Sequence, residues 1–441
     1  MHLRKTMTAF ATVFAMAAVT GAAQAATEIQ WWHAMSAANG EKVEEIANGF
    51  NASQSDYKVV PVYKGNYTET MTAAIAAFRA KQQPHIVQVF EVGTATMMAA
   101  RGAVYPITDL MADAGEPFDQ NAYLPAVVSY YQTPDGDLLS MPFNSSTPVL
   151  WYNRDAFKKA GLDPNAPPKT WNEMESAAKK LMAAGYSCGF SFGWQSWVML
   201  ENFSAWHNLP IGSQENGFAG LDTEFKFNNP QVKKMLARIG EWQKSKIFDY
   251  GGRRGESLPK FTNGECPMWM NSSAYYGGIK KQAKFDFAQS MLPYDSDVVD
   301  GPQNSIIGGA TLWVLRGHDA DEYKGVAKFM NYLSSAEVQA DWHQFTGYVP
   351  ITTAAYELSK QQGFYDQNPG TDTAIKQLSL NTPTPNSKGL RFGSFVQTRD
   401  IINEEMEAIW NGSKTADQAL DDAAARGNKL LREFEKANAG S

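Results

Sequence analysis

One acidic side chain, Glu91, stands in the sequence where a ligand contact explains it better than exposure to solvent does. It lies in the stretch from Ile86 to Val92, which is otherwise a nearly continuous apolar run, as in a strand buried on both faces of a sheet. A carboxylate is rarely buried without a partner. The sequence therefore predicts a functional role for Glu91 at the end of a buried strand.

Familiar catalytic and cofactor motifs are missing from the sequence. It holds no H-E-x-x-H, Walker A or G-x-G-x-x-G pattern. The six histidines are scattered, and no two have the spacing of metal ligands. We therefore expect no cofactor, no metal site and no enzymatic activity. Carboxylates are numerous, so the pair of a glycoside hydrolase stays open as the enzyme alternative.

The composition indicates a globular protein with a small partner. The formal net charge of −7 argues against nucleic acid or anionic lipid as a partner. The chain has 12 Trp, 18 Tyr and 24 Phe residues, which fill cores but also suit a polyol, because its C–H surface packs on aromatic rings. The two cysteines, Cys188 and Cys266, form either one disulfide or two separate thiols, and their spacing leaves both open.

The first 25 residues have the pattern of a secretory signal peptide. Basic residues open the segment, an apolar run extends from about Met7 to Val19, and Ala23-Gln24-Ala25 fits a cleavage site. A membrane span needs about 18–20 apolar residues, so this run is too short to be one. We therefore expect export to a bacterial periplasm, and the length of the remaining chain favours two lobes.

Strand and helix patterns alternate after the leader. Strands are predicted at 28–33, 57–63 and 86–92, with helices between them at 39–51 and 68–80. This alternation predicts an α/β fold with a doubly wound parallel sheet, which binds ligands at the carboxyl ends of its strands. Further predictions are strands at 148–153, 186–193 and 305–315, a capping box at Thr170 to Glu173, a capping signal at 334–337, and helices at 231–244, 398–410 and 416–435.

Seven short stretches, spread over nearly the whole chain after the leader, carry a family resemblance. They are Tyr63-Lys64-Gly65-Asn66-Tyr67, Phe90 to Met98, Pro142 to Pro148, Gly193-Trp194-Gln195-Ser196-Trp197, Ile306 to Ala310, Thr346 to Pro350, and Lys388 to Arg391 leading to Arg399. Together they resemble the periplasmic solute-binding proteins of ABC importers, and among these the maltose-binding-like receptors for sn-glycerol 3-phosphate. The chain departs from the family pattern mainly around 269–276.

The resemblance implies a set of ligand-binding residues. It implies a phosphate held by Tyr67, Ser146, Ser272, the backbone N–H of Gly309, Tyr348 and Arg399, with Glu91 accepting from glycerol hydroxyls and Trp194 and Trp197 walling the glycerol. Ser272 is preferred to Ser273 in the segment that departs from the pattern. The chemistry agrees, because Arg offers a phosphate two parallel N–H bonds. A carboxylate repels phosphate, so Glu91 is expected at the opposite end of the ligand from Arg399.

The resemblance also implies two lobes with the ligand between them. We expect lobe one to hold 26–144 and 306–344 and lobe two to hold 145–305 and 345–441, after a signal peptide at 1–25. Because residues of both lobes would touch the ligand, binding should favour a closed state. Two membrane permease subunits and ATPase subunits of an importer are the expected partners.

Three alternatives remain open at this stage. The first is a receptor for maltose or another oligosaccharide, against which a lone Arg with few charged acceptors for sugar hydroxyls argues. The second is the secreted glycoside hydrolase, which a carboxylate pair flanking the cleft would indicate. The third is a receptor for glycerophosphodiesters such as glycerophosphocholine, bound either alone or alongside glycerol 3-phosphate.

Overall fold

The computed structural model describes residues 25–439, so the predicted signal peptide lies outside the described residues except for its last position. Strands in this range are β1 (Thr27–His33), β2 (Tyr57–Tyr63), β3 (Ile86–Phe90), β4 (Val104–Tyr105), β5 (Met141–Ser146), β6 (Pro148–Asn153), β7 (Phe190–Phe192), β8 (Met268–Ser272), β9 (Phe287–Ser290) and β10 (Gly308–Leu315). They form two separate sheets.

Helices cover both sheets. The α-helices are α1 (Ala37–Ser53), α2 (Tyr67–Arg79), α3 (Thr94–Ala99), α4 (Ile107–Ala114), α5 (Pro125–Tyr131), α6 (Arg154–Lys159), α7 (Trp171–Ala183), α8 (Phe203–Trp206), α9 (Ser213–Gly217), α10 (Pro230–Ser245), α11 (Leu258–Thr262), α12 (Tyr276–Gln282), α13 (Ala320–Leu333), α14 (Ala336–Thr346), α15 (Thr353–Gln361), α16 (Phe364–Gln367), α17 (Thr373–Leu378), α18 (Phe395–Trp410) and α19 (Ala416–Asn438). Short 3₁₀ turns lie at Glu91–Gly93, Gln120–Ala122 and Ser273–Tyr275, and a π-helix at Trp197–Asn202.

The first sheet has the strand order β2-β1-β3-β10-β4, with β5 also paired to β10. The strands β1, β2 and β3 are parallel, as predicted. The late strand β10 runs antiparallel to β3, β4 and β5, so the prediction of an all-parallel sheet was incomplete. The core beside the first sheet contains the buried rings of Trp31, Phe143 and Trp342.

The second sheet has the order β7-β8-β6-β9. The strand β6 is antiparallel to both of its neighbours, and β7 is parallel to β8. Aromatic side chains fill its core, where Trp171, Phe190 and Trp242 contact one another. The helices α10, α18 and α19 pack together beside it.

The chain passes between the sheets without a linker. One residue, Thr147, separates β5 of the first sheet from β6 of the second. The chain returns between β9 and β10, and near Val349 it pairs once more with Ser145. The numerical lobe boundaries given above remain predictions.

A disulfide joins Cys188 and Cys266, whose Cα atoms are 4.9 Å apart. This outcome decides between the two states that the spacing left open. The bridge closes a loop of 78 residues. In the chain-entropy model, this lowers the conformational entropy of the unfolded chain and stabilises the folded state by roughly 4 kcal/mol. Cys266 lies just before β8, at the opposite end of that strand from Ser272.

Local sequence signals placed most elements correctly. The predicted capping box opens α7, because the Thr170 hydroxyl accepts from the N–H of Glu173 while the Glu173 carboxylate accepts from the N–H of Thr170. At α14 the capping signal marks the correct start, with Ser335 at the N-cap position, but the Ser335 hydroxyl donates to the Tyr332 carbonyl and makes no capping hydrogen bond. None of the helices within residues 25–439 has the length and apolar character that a membrane span requires.

Candidate functional site

A cavity of about 280 Å³ lies where segments from both sheets meet. All nine residues named from the sequence line it, namely Tyr67, Glu91, Ser146, Trp194, Trp197, Ser272, Gly309, Tyr348 and Arg399. Four of them belong to strands of the first sheet or follow such strands: Tyr67, Glu91, Ser146 and Gly309. Four others lie on segments around the second sheet: Trp194, Trp197, Ser272 and Arg399. Tyr348 follows α14. The structure therefore brings together every residue of the predicted set.

The hydroxyl of Tyr67 is held by a chain of buried amides. The Asn144 side chain donates to the Tyr67 hydroxyl oxygen at 2.8 Å, and its own carbonyl accepts from Gln88 at 2.7 Å. The Gln88 carbonyl in turn accepts from the backbone N–H of Ala34. Because Asn144 donates to this oxygen, the Tyr67 proton is directed to another acceptor, and the Tyr348 hydroxyl is one such neighbour. The sequence analysis missed both amides, although Gln88 is a polar residue inside an apolar strand.

A similar arrangement orients two serines from opposite sheets. The Ser272 hydroxyl accepts from the backbone N–H of Ala274 and donates to the Ser146 hydroxyl at 2.8 Å. Ser146, as acceptor of this bond, keeps its own proton for another group. Ser273 does not line the cavity, which agrees with the preference for Ser272.

Two glycines beside the cavity make room for an indole ring and for a neighbouring backbone carbonyl. A Cβ on Gly308 would meet the Trp197 ring within 2.5 Å, so the ring lies against bare backbone there. Gly309 has a φ of +103°, and a side chain on it would overlap the carbonyl of Asn144. The Trp197 indole N–H is buried without a hydrogen-bond partner, which leaves a donor beside the cavity.

Trp194 occupies a left-handed backbone conformation, with a φ of +47°. This region is unfavourable for a bulky side chain, and such strain is concentrated at functional sites. The backbone N–H of Trp194 donates to the carbonyl of Arg254, and that guanidinium lies 5.5 Å from the indole ring centre. The strained turn therefore fixes the ring at the edge of the cavity.

The guanidinium of Arg399 is held between two buried carboxylates. Its Nε and Nη2 donate to the two oxygens of Glu201 at 2.9 and 2.6 Å, and Nη2 also donates to Glu91 at 2.8 Å. Each of these three side chains is no more than 6% exposed. Arg399 and Glu91 are therefore in contact, and the expectation that they occupy opposite ends of the ligand is wrong.

Glu201 is a residue that the sequence analysis did not identify. It lies on the π-helix Trp197–Asn202, a rare helix type that occurs often at functional sites. It does not line the cavity itself. A lone acidic residue in the apolar run around Leu200 and Phe203 was the available signal, of the same kind that drew attention to Glu91.

Burial controls the ionisation of the groups around the cavity. It raises the pKa of Tyr67 well above its usual value and raises that of Tyr348, so both remain neutral hydroxyls. Burial also raises the pKa of Glu91, against the opposing influence of Arg399. Although burial disfavours the charged form of Arg399, its two carboxylates raise its pKa above the usual value.

The first turn of α1 borders the same cavity, at Ser36 to Asn39. The turn has no acidic residue and its N-cap side chain accepts no hydrogen bond. The positive end of the helix dipole therefore faces the cavity without compensation, which favours an anion there.

The sequence and the fold are both similar to those of known proteins. The sequence profile of the bacterial extracellular solute-binding proteins matches residues 45–372. The chain belongs to this family. Its predicted two-lobed α/β fold is confirmed by solved structures of solute-binding proteins. One is UgpB from Mycobacterium tuberculosis in complex with glycerophosphocholine, with a TM-score of 0.77 at 20% identity, covering 92% of this chain and 99% of the other.

Two curated relatives among the solute-binding proteins are much closer in sequence. The sn-glycerol-3-phosphate-binding periplasmic protein UgpB of Salmonella typhimurium is 53% identical over 422 residues, 96% of each chain. The protein of the same name from Escherichia coli K12 is 52% identical over 421 residues, covering 95% of this chain and 96% of the relative. The predicted periplasmic location is confirmed by these relatives.

Proposed function

We propose that this protein is the substrate-binding subunit of an ABC importer and captures sn-glycerol 3-phosphate between its two lobes. The observation that carries the proposal is the convergence of all nine predicted residues on one cavity. The named relatives, which are more than half identical to this chain, support the ligand. The permease and ATPase subunits of the importer would then receive the ligand from the closed form.

The donors around the cavity suit a phosphate group. Ser146 keeps a proton to donate because Ser272 already donates to its oxygen, and the Tyr67 proton, which lies beside the Tyr348 hydroxyl, would turn to a phosphate oxygen. Arg399 uses Nε and Nη2 for its carboxylates, and within residues 25–439 its Nη1 makes no hydrogen bond. Charged hydrogen bonds are about twice as strong as neutral ones, so these donors would hold phosphate while Trp194 and Trp197 pack on the glycerol carbons.

The same cavity supports the proposal that the protein is a receptor and not a hydrolase. A glycosidase needs two carboxyl groups on either side of the scissile bond. Among the cavity-lining residues within 25–439, Glu91 is the sole carboxylate. The nearest second carboxylate, Glu201, has both oxygens occupied by Arg399, so it is not available as an acid or a nucleophile.

Glycerophosphodiesters are the second candidate ligands. The cavity extends beyond the nine predicted residues to Leu258, Tyr275 and Gln282. This additional space lies next to an aromatic ring and a neutral amide, which suits the alcohol portion of a diester such as glycerophosphocholine.

Calorimetric titration with sn-glycerol 3-phosphate, glycerophosphocholine and maltose tests the proposal. We expect binding of the first ligand, with a smaller radius of gyration in X-ray scattering if the lobes close. Binding of maltose alone would assign the protein to the oligosaccharide receptors. Release of free phosphate or glycerol from a bound ligand would show that the protein is an enzyme.

A further inference from the structure

The buried cluster of Glu91, Arg399 and Glu201 contains one more negative than positive charge when all three are ionised. Glu91 and Arg399 are also the charged residues that line the cavity within the described range. A phosphate ligand would therefore enter a buried site with a single cation that two carboxylates already neutralise. Unpaired charge is costly to bury, and groups in such places change protonation instead.

The two carboxylates are not equivalent. Glu201 accepts from Arg399 through both of its oxygens, in the fork geometry that Arg forms with an ionised carboxylate. Glu91 accepts one bond from the same guanidinium and borders the cavity. The ligand charge would therefore act most strongly on Glu91, while the two hydrogen bonds of Glu201 hold the guanidinium in place.

We infer that Glu201 positions Arg399 for the ligand and that Glu91 takes up a proton when a phosphate ligand binds. The inference rests on the proposed function, because it assigns a protonation step to the same site. A protonated Glu91 would remove the excess negative charge of the cluster. It would also gain an O–H donor and become a weaker acceptor for Arg399, whose Nη2 N–H would then be able to donate to the phosphate instead.

The other groups around Glu91 cannot take up this proton. The titratable side chains that face it are Arg399 from α18, Glu201 from the π-helix, Tyr67 from α2, Tyr130 and Tyr131 from α5, and Tyr348 after α14. Burial raises the pKa of all four tyrosines, so they are already protonated at neutral pH. Glu91 is the facing group that can accept a proton without breaking the bidentate pair.

Calorimetry in buffers of different ionisation enthalpy measures the proton exchange directly. The wild-type chain is titrated with sn-glycerol 3-phosphate between pH 7 and 8.5. We expect uptake of about one proton per ligand, so that the affinity falls about tenfold for each unit of pH. Phosphorus NMR of the bound ligand in the wild-type protein distinguishes a proton on Glu91 from one on the phosphate, which has its own second pKa near 6.

Three variants separate the roles. Glu91→Gln should remove the proton uptake and flatten the pH dependence of whatever affinity remains. Glu201→Gln should reduce the uptake, because it removes one negative charge, and should also weaken binding by misplacing Arg399. Glu201→Asp keeps the charge and both acceptor oxygens and should recover part of the loss. The matched control is Glu265→Gln, at an exposed position before the start of β8, which should behave as wild type.

The possible results are distinct. Failure of wild type to bind sn-glycerol 3-phosphate would refute the proposed function. Binding without proton uptake, uptake that persists in Glu91→Gln, or a phosphorus signal that places the proton on the ligand would refute this inference and leave the function intact. Because the NMR and wild-type titrations need no substitution, poor folding of a variant does not leave the question open.

Discussion

Replacing Arg399 by Ala tests whether the three-charge cluster is arranged as the structure describes. The substitution would remove the one cation between Glu91 and Glu201 and leave two buried carboxylates near each other. We therefore expect a loss of stability as well as a loss of phosphate binding. This differs from an exposed Arg, whose removal has little effect on stability.

The magnitude follows from the burial of the partners. Removing one member of a buried ion pair costs about 3–5 kcal/mol, and this deficit should apply near pH 7.5. In the variant, burial without the guanidinium should hold the pKa of Glu91 above the unfolded value of about 4.3, so the native state binds more protons than the unfolded state. Stability then rises as the pH falls. Uptake of one proton would recover about 2.7 kcal/mol between pH 7.5 and 5.5.

Urea unfolding followed by tryptophan fluorescence at both pH values measures the deficit. The matched control is Arg101→Ala, at an exposed turn, which should change the free energy of unfolding by less than about 0.5 kcal/mol at either pH. Glu91→Gln combined with Arg399→Ala should shrink the deficit at pH 7.5. A deficit in Arg399→Ala that is below 1 kcal/mol, or that stays the same at both pH values, would refute the argument.

Further predictions concern the hydroxyls, the glycines, the disulfide and the histidines. Tyr67→Phe should weaken binding of sn-glycerol 3-phosphate by about 10- to 150-fold in calorimetry, because a hydrogen bond to a charged group is worth about 1.5–3 kcal/mol. Gly309→Ala should abolish measurable binding, since its side chain would overlap a backbone carbonyl. Changing both cysteines to Ser should lower the free energy of unfolding by about 2–5 kcal/mol without altering ligand affinity. Burial lowers the pKa of His207 and His343 to about 4, so their NMR signals should not titrate between pH 7 and 5, and each should reduce stability as the pH falls from about 6.5 towards 4.

Local patterns were sufficient for most elements of the fold. Apolar periodicity and capping signals placed α7 from Thr170 onwards and α19 within a few residues. They did not place β10 beside β3 in the antiparallel direction. The two strands are over 200 residues apart, and the sequence of neither strand specifies its partner. The predicted strand at 186–193 is shorter in the structure, at Phe190–Phe192, since tertiary pairing with β8 decides its bounds.

The sequence predicted which residues line the candidate site, but it did not predict how their side chains are hydrogen-bonded. The family resemblance supplied nine residues, and the structure places them around one cavity. The resemblance could not reveal which hydrogen-bond donors are already engaged by other residues of the protein. Whether Tyr67 can donate depends on Asn144, and the environment of Arg399 depends on Glu201 from a distant helix. Both contacts are products of tertiary packing.

The position of the cluster gives its charges a role beyond holding the ligand. Glu91 follows β3 of the first sheet, whereas Arg399 and Glu201 lie on α18 and the π-helix beside the second. The bond between Arg399 and Glu91 therefore links the two sides of the cavity without a ligand. A buried ion pair adds little net stability, because desolvation offsets its attraction. A phosphate that takes Arg399 would leave the Glu91 carboxylate buried without its partner, a cost that the inferred proton uptake would remove. The exchange of one acceptor for another would then couple ligand capture to the contact between the lobes.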